Sequence, residues 1–129
     1  MPTPLIHPII LAAGPARGLA TPKALARFGG RTALEIALEN VADLAPAVVV
    51  LGSQAADVRS AIPPGVHVVI NKDWRRGQLV SLLAGLAEIP RAADFMLYPV
   101  DYPLLTQALI GRLVEGFAAR SDAQDIALA

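Results

Sequence analysis

The sequence predicts an α/β domain, three layers deep, with helices on both faces of a mostly parallel sheet. Three observations carry that prediction. Apolar runs of strand length (Ile9–Ala12, Ala47–Leu51, Val66–Ile70 and Phe95–Val100) alternate with segments of helical periodicity. The second and fourth runs show no in/out alternation, as expected of strands covered on both faces. The chain has 129 residues, 54% hydrophobic and 17% charged, enough apolar surface to bury one core, so residues 1–129 read as a single domain.

The elements follow in order. The first strand runs into a loop of small residues ending at Pro22 and Lys23. Thr32 and Glu35 form a capping box, each side chain satisfying a free backbone N–H at a helix start. Leu34, Leu38, Val41 and Ala45 then make one apolar stripe, which predicts a helix to about Ala45, before Pro46. Glu35, Glu39 and Asp43 lie opposite the stripe as a solvated face rather than as paired acid/base carboxylates. A short helix over Gln54–Ala61 ends at Pro63, Pro64 and Gly65, a turn into the third strand.

The next helix is expected over Gln78–Glu88, with Leu79, Leu82, Leu83 and Leu86 as its buried stripe. Its other face carries Ser81 and Gly85, whose small size suits either a close ligand or tight helix packing. The last helix, about Thr106–Ala119, is expected to bury Leu109, Ile110, Leu113 and Phe117. Asp125–Ala129 reads like the opening of another strand, so the sequence stops where a larger α/β domain would continue. A sheet cut short at that side exposes an edge, which invites self-association or a partner chain.

Composition excludes several classes of function. With 11 basic and 11 acidic residues there is no long-range field to gather nucleic acid or anionic lipid. The absence of cysteine removes disulfides, zinc knuckles and thiol nucleophiles, and fits a reducing compartment. The N-terminus lacks a basic leader followed by a long apolar stretch, and every apolar run is too short to cross a bilayer. A soluble, cytoplasmic protein is expected.

Two places could carry chemistry. The loop from Leu11 to Lys23 follows a strand, where ligands bind in open α/β sheets, and its small side chains leave backbone N–H groups open to an anion. Its glycines, Gly14 and Gly18, match neither G-x-G-x-x-G nor a Walker loop. Asp101 follows a buried strand, where a lone carboxylate needs a cation or a hydrogen-bonding partner. His7 and His67 lack ligand spacing or a triad partner and read as structural, and Trp74 reads as a packing anchor.

In combination these segments resemble a known family. Leu11, Ala12, Ala13 and Gly14, ending in Pro22 and Lys23, with Phe28 to Glu35 after them, resemble the nucleotidyltransferase pattern L-A-A-G-x-S-x-R-x-G-x-P-K. Asn71, Asp73, Trp74 and Gly77, followed by Ser81, Gly85 and Leu86, are similar to the N-x-D-W-x-x-G segment and S-x-x-x-G-L helix start of MobA-like proteins. Pro99 to Thr106 resembles their metal-binding D-x-P segment. Within that family the sequence looks most like the molybdenum cofactor cytidylyltransferases, because Ala12, Ala13 and Pro22 stand where the guanylyl branch more often has Gly and Asp.

The resemblance implies a Rossmann-like fold of the nucleotide-diphospho-sugar transferase type. It also implies transfer of a nucleoside monophosphate, CMP from CTP, to a phosphorylated acceptor such as molybdopterin, with Mg²⁺. Lys23 and Asp101 would be catalytic, with Asp101 holding the metal. Leu11, Ala12, Ala13, Gly14, Arg17, Lys23, Asn71, Ser81 and Gly85 would bind the nucleotide. The partners are then small molecules, not nucleic acid or membrane. Arg75 and Arg76 are candidates for an acceptor phosphate.

Two departures keep alternatives open. Ala16, Gly18 and Ala20 stand at the usual Ser, Arg and Gly, with Arg17 next to the missing arginine. The family also continues past the last helix with a second acidic metal ligand, which no motif identifies with Asp122 or Asp125. The alternatives are a catalytically impaired nucleotide-binding relative acting as a partner or regulatory module, and a sugar-phosphate nucleotidyltransferase.

Overall fold

The computed structural model describes residues 5–16, 18 and 20–119. Among them the chain forms, in order, β1 (Ile6–Ala12), β2 (Arg27–Phe28), β3 (Arg31–Thr32), α1 (Ala33–Asn40), β4 (Val48–Leu51), α2 (Ala55–Ser60), β5 (His67–Ile70), α3 (Gln78–Leu86), β6 (Asp94–Pro99) and α4 (Gln107–Ala118). The strand expected over Asp125–Ala129 lies outside the described residues, as do Arg17, Asp122 and Asp125.

Four parallel strands make the main sheet, in the order β5-β4-β1-β6. Ile9 stands opposite Val48 on one side and Leu97 on the other. The chain walks outward from β1 to β4 and β5, then returns to the far side of β1 as β6. The reversal opens a crevice at the carboxyl ends of β1 and β6, where ligands bind in sheets of this kind.

The strand period of two sorts side chains into two clusters. Ile6, Ile10, Val49, Leu51, Met96 and Tyr98 point to one face, where Leu34 and Ala37 of α1, Val58 of α2, and Ile110 and Val114 of α4 cover them. Ile9, Leu11, Val48 and Val50 point to the other, beneath Leu82 and Leu86 of α3. The three-layer α/β/α build expected from the sequence is therefore present.

Three helix expectations need correction. The first concerns α1, which stops at Asn40 rather than near Ala45. Asn40 is buried, and its Nδ2 donates both to Tyr98 Oη (3.0 Å) and to the Leu105 carbonyl (2.8 Å). The chain then turns, and the Ala45 N–H donates to the Ile6 carbonyl. Tertiary bonds at both ends of this segment outweigh its helix propensity. Thr32 and Glu35 form the expected capping box.

The second correction concerns α3, whose buried residues are Ser81 and Gly85, while Leu79 and Leu83 are 67% and 55% exposed. A Cβ on Gly85 would lie 2.6 Å from Ile9 Cγ2, so the helix rests on its small residues and sits close to the sheet. The third is on α4, where Leu109 is exposed and Val114 takes its place in the core. The sequence reading did not include the β2–β3 hairpin, whose turn residues Gly29 and Gly30 have φ of 61° and 85°. No helix among the described residues is long and apolar enough to cross a membrane.

Candidate functional site

A cleft of about 400 Å³ opens at the carboxyl ends of β1 and β6. Leu11, Ala12, Ala13 and Gly14 line it, and so do Lys23, Ser81 and Asp101, so the structure brings together seven of the residues singled out from the sequence. The Val100 N–H donates to the Leu11 carbonyl and the Ser53 N–H to that of Ala13, which fixes the path of the chain leaving β1.

Lys23 begins a single 3-10 turn, Lys23–Leu25, set by Pro22 and closed by the Leu25 N–H on the Pro22 carbonyl (2.9 Å). Ala24 in that turn is buried in the larger cluster, which anchors the lysine backbone. Asp101 follows β6. Its Oδ2 lies 3.5 Å from Lys23 Nζ, with the two side chains 45% and 39% exposed. So open a pair contributes about 1 kcal/mol or less to stability. Its significance is placement, since a cation and a carboxylate face one cleft.

Asn71 lies outside the residues that line the cleft. It is buried, its Nδ2 donates to Ser81 Oγ (2.9 Å), and its Oδ1 accepts from the Asp73 N–H (2.9 Å). It thereby ties the turn after β5 to α3. Ser81 Oγ accepts that bond, which leaves its own proton available as a donor. Gly85 is also absent from the lining, and a Cβ there would meet Ile9 and Val50, so close packing on β1 and β4 calls for its small size. Arg75 lines the cleft and Arg76 does not, while Arg17 is outside the described residues.

Sequence reasoning missed Gly52. A Cβ there would lie 2.5 Å from Trp74 Cβ and 2.9 Å from Ala13 Cβ, so only a residue without one lets Trp74 close against the loop after β1. The available signal was a glycine directly behind the second apolar run. Trp74 packs in the smaller cluster, the anchor the sequence suggested.

The shifted titration lies in the core below the cleft. Burial pushes the Tyr98 phenol up from its ordinary range, partly opposed by the hydrogen bond from Asn40. His67 Nε2 meets Glu88 at 3.1 Å on the surface. Among the described residues no three His, Cys, Asp or Glu side chains gather as a metal site. Among the described residues Asp101 is the one carboxylate lining the cleft, which suits a cation that takes its remaining ligands from phosphate and water.

A parallel sheet with its cleft at the strand-order reversal, lined by a small-residue loop and a Lys/Asp pair, defines an open α/β protein whose cleft lies where such sheets take ligands. Residues 8–129 match the MobA-like NTP transferase domain, and the chain belongs to that family. It is 36% identical over 116 residues to the nicotine blue oxidoreductase of Paenarthrobacter nicotinovorans, covering 86% of this chain and 56% of that protein. The fold is similar to that of Rv0371c from Mycobacterium tuberculosis H37Rv, also solved as a manganese complex. The first of these structures gives a TM-score of 0.74 at 27% identity, over 88% of this chain and 60% of that one. It is also similar to 2-C-methyl-D-erythritol 4-phosphate cytidylyltransferase from Thermus thermophilus, with a TM-score of 0.57 at 28% identity, over 88% of this chain and 50% of that one. The chain thus spans 50% to 60% of the length of these relatives.

Proposed function

We propose that the chain is a nucleotidyltransferase that moves a nucleoside monophosphate, CMP from CTP, onto a phosphorylated acceptor of the molybdopterin type. The observation that carries this reading is Lys23 and Asp101 meeting at 3.5 Å over a cleft walled by Leu11 to Gly14, in a chain of the MobA-like family. An oxygen of the acceptor phosphate attacks the α-phosphorus of the triphosphate. One P–O–P bond forms, the bond between the α- and β-phosphates breaks, and pyrophosphate leaves with its electron pair.

Two anions must meet in that reaction, so the protein's work is alignment and neutralisation of charge. The Leu11 to Gly14 backbone offers N–H groups to the nucleotide, and Lys23 offsets phosphate charge. Asp101 fits as the holder of Mg²⁺, which would supply further charge neutralisation on the phosphates. Manganese in the similar Rv0371c protein supports a divalent ion here.

Calorimetric titration with CTP, GTP and ATP in the presence of Mg²⁺ tests the binding half, and heat with none of them overturns the reading. Pyrophosphate release with a pterin phosphate tests catalysis. Lys23→Ala and Asp101→Ala are each expected to lower the rate about a hundredfold or more; unchanged rates remove these residues from the mechanism. The 36% identity to a nicotine blue oxidoreductase favours a second reading, reduction or oxidation of a small organic molecule. Under that reading the chain turns over a redox substrate and releases no pyrophosphate.

A further inference from the structure

The helix α1 lines no part of the cleft, yet it braces both segments that bring Lys23 and Asp101 together. At its start the Ala33 N–H donates to the carbonyl of Ala26 (2.8 Å), the residue that ends the turn carrying Lys23. Leu34 and Ala37 share the larger cluster with Ala24 of that turn. At its other end stands Asn40, buried, with Nδ2 donating to the Leu105 carbonyl at 2.8 Å. Leu105 closes the loop that opens with Asp101, its N–H donating back to the Tyr102 carbonyl (3.3 Å).

The loop is pinned at its ends. Val100 is buried and its N–H donates to the Leu11 carbonyl (3.0 Å). Between Val100 and Leu105, Tyr102 and Leu104 are 54% and 88% exposed, so packing there does little to fix Asp101, and its place depends on the two pins. Gln107 Nε2 also donates to Asp43 Oδ2, but on the surface, where water competes for both groups. We infer that Asn40 is a positioning residue for Asp101. It ties the far end of the loop to the helix that also seats the Lys23 turn, and so holds the carboxylate where it faces the lysine and a divalent ion. The role in transfer rests on the nucleotidyl-transfer reading, whereas the tether itself can be tested separately.

Asn40 Nδ2 also donates to Tyr98 Oη (3.0 Å), which lets stability be separated from positioning. Tyr98→Phe strips one Asn40 N–H of its acceptor and destabilises the protein, but keeps the bond to Leu105. Asn40→Leu/Tyr98→Phe removes both buried polar groups together and cuts the tether, with a smaller loss of stability than Asn40→Leu alone. The probe is Mn²⁺ alone, followed by broadening of the Asp101 and Tyr102 amide signals in NMR, with Asp101→Asn as the background. Wild-type protein is expected to respond saturably. Asn40→Leu/Tyr98→Phe should weaken Mn²⁺ binding about tenfold or more, and Tyr98→Phe less than about threefold. Pyrophosphate release should fall in the same order.

Absence of Mn²⁺ binding by wild-type protein overturns the proposal, and so does binding that ignores the loss of Asn40. Equal weakening by Tyr98→Phe overturns it too, because the network would then act through stability alone. Mn²⁺ binding that depends on Asn40, without any response to Mg-CTP, upholds the tether and sinks the nucleotidyl reading instead. Turnover of Mg-CTP with Mn²⁺ binding indifferent to Asn40 does the opposite.

Discussion

Replacing Gly85 by alanine separates the two roles that its spacing from Ser81 allows. The new methyl would lie 2.6 Å from Ile9 Cγ2 and 3.1 Å from Val50 Cγ2. Both neighbours are fully buried, and both sit on strands paired on each side, β1 between β4 and β6 and β4 between β5 and β1. Neither can retreat cheaply, so the overpacking cost belongs in the upper part of the usual range, about 2–3 kcal/mol. Alanine returns about 1 kcal/mol as the better helix former. The net loss is about 1–2 kcal/mol, which for 129 residues lowers the melting temperature by about 4–8 °C. Thermal melts followed by circular dichroism measure this, with Mg-CTP titrations well below the melt. Affinity is expected to move less than about threefold. An unchanged or raised melting temperature together with lost nucleotide binding would refute the packing account and make Gly85 a ligand contact.

Ser81→Ala is expected to cost about 1–3 kcal/mol in urea unfolding, because it strips a buried Asn71 N–H of its acceptor. Asn71→Ala combined with it should cost clearly less than the two single changes added, since the orphaned donor is gone; full additivity would show that the bond does not couple them. Tyr98 makes stability depend on pH at the alkaline end. Its folded-state phenol holds the proton more tightly than the unfolded chain does, so its contribution is complete below about pH 10 and is lost as pH rises through the raised folded value. Tyr98→Phe should flatten that alkaline fall in melting temperature, and an unaltered slope would assign it to other groups.

The parallel sheet was legible because apolar runs bounded by turn residues are a property of the chain itself. The Thr32 capping box was legible for the same reason, being complete within four consecutive residues. The face that α3 turns inward was not. Its leucines outweigh its small residues in any hydrophobic pattern, yet the helix lies on Ser81 and Gly85 because close approach to Ile9 and Val50 requires them. The end of α1 depends on Tyr98 and Leu105, which are remote in sequence from Asn40.

The cleft followed a similar division. Leu11 to Gly14, Lys23 and Asp101 were readable because each stands beside a strand end within a recognisable motif. Asn71 was singled out by the same reasoning, but its side chain spends its bonds on Ser81 and Asp73. Gly18 has φ of +84° in the left-handed region, where an arginine would be strained. Gly52 behind the second apolar run was visible in the sequence, whereas its closure against Trp74 depends on a contact remote along the chain.

The sheet also acts as a bulkhead. Lys23 stands on packing beneath α1 and Trp74 on packing beneath α3, with the sheet between the two clusters. Damage to one cluster is therefore contained. A void opened at Leu34 loosens the lysine's footing and spares the tryptophan's, while one opened at Leu82 does the opposite.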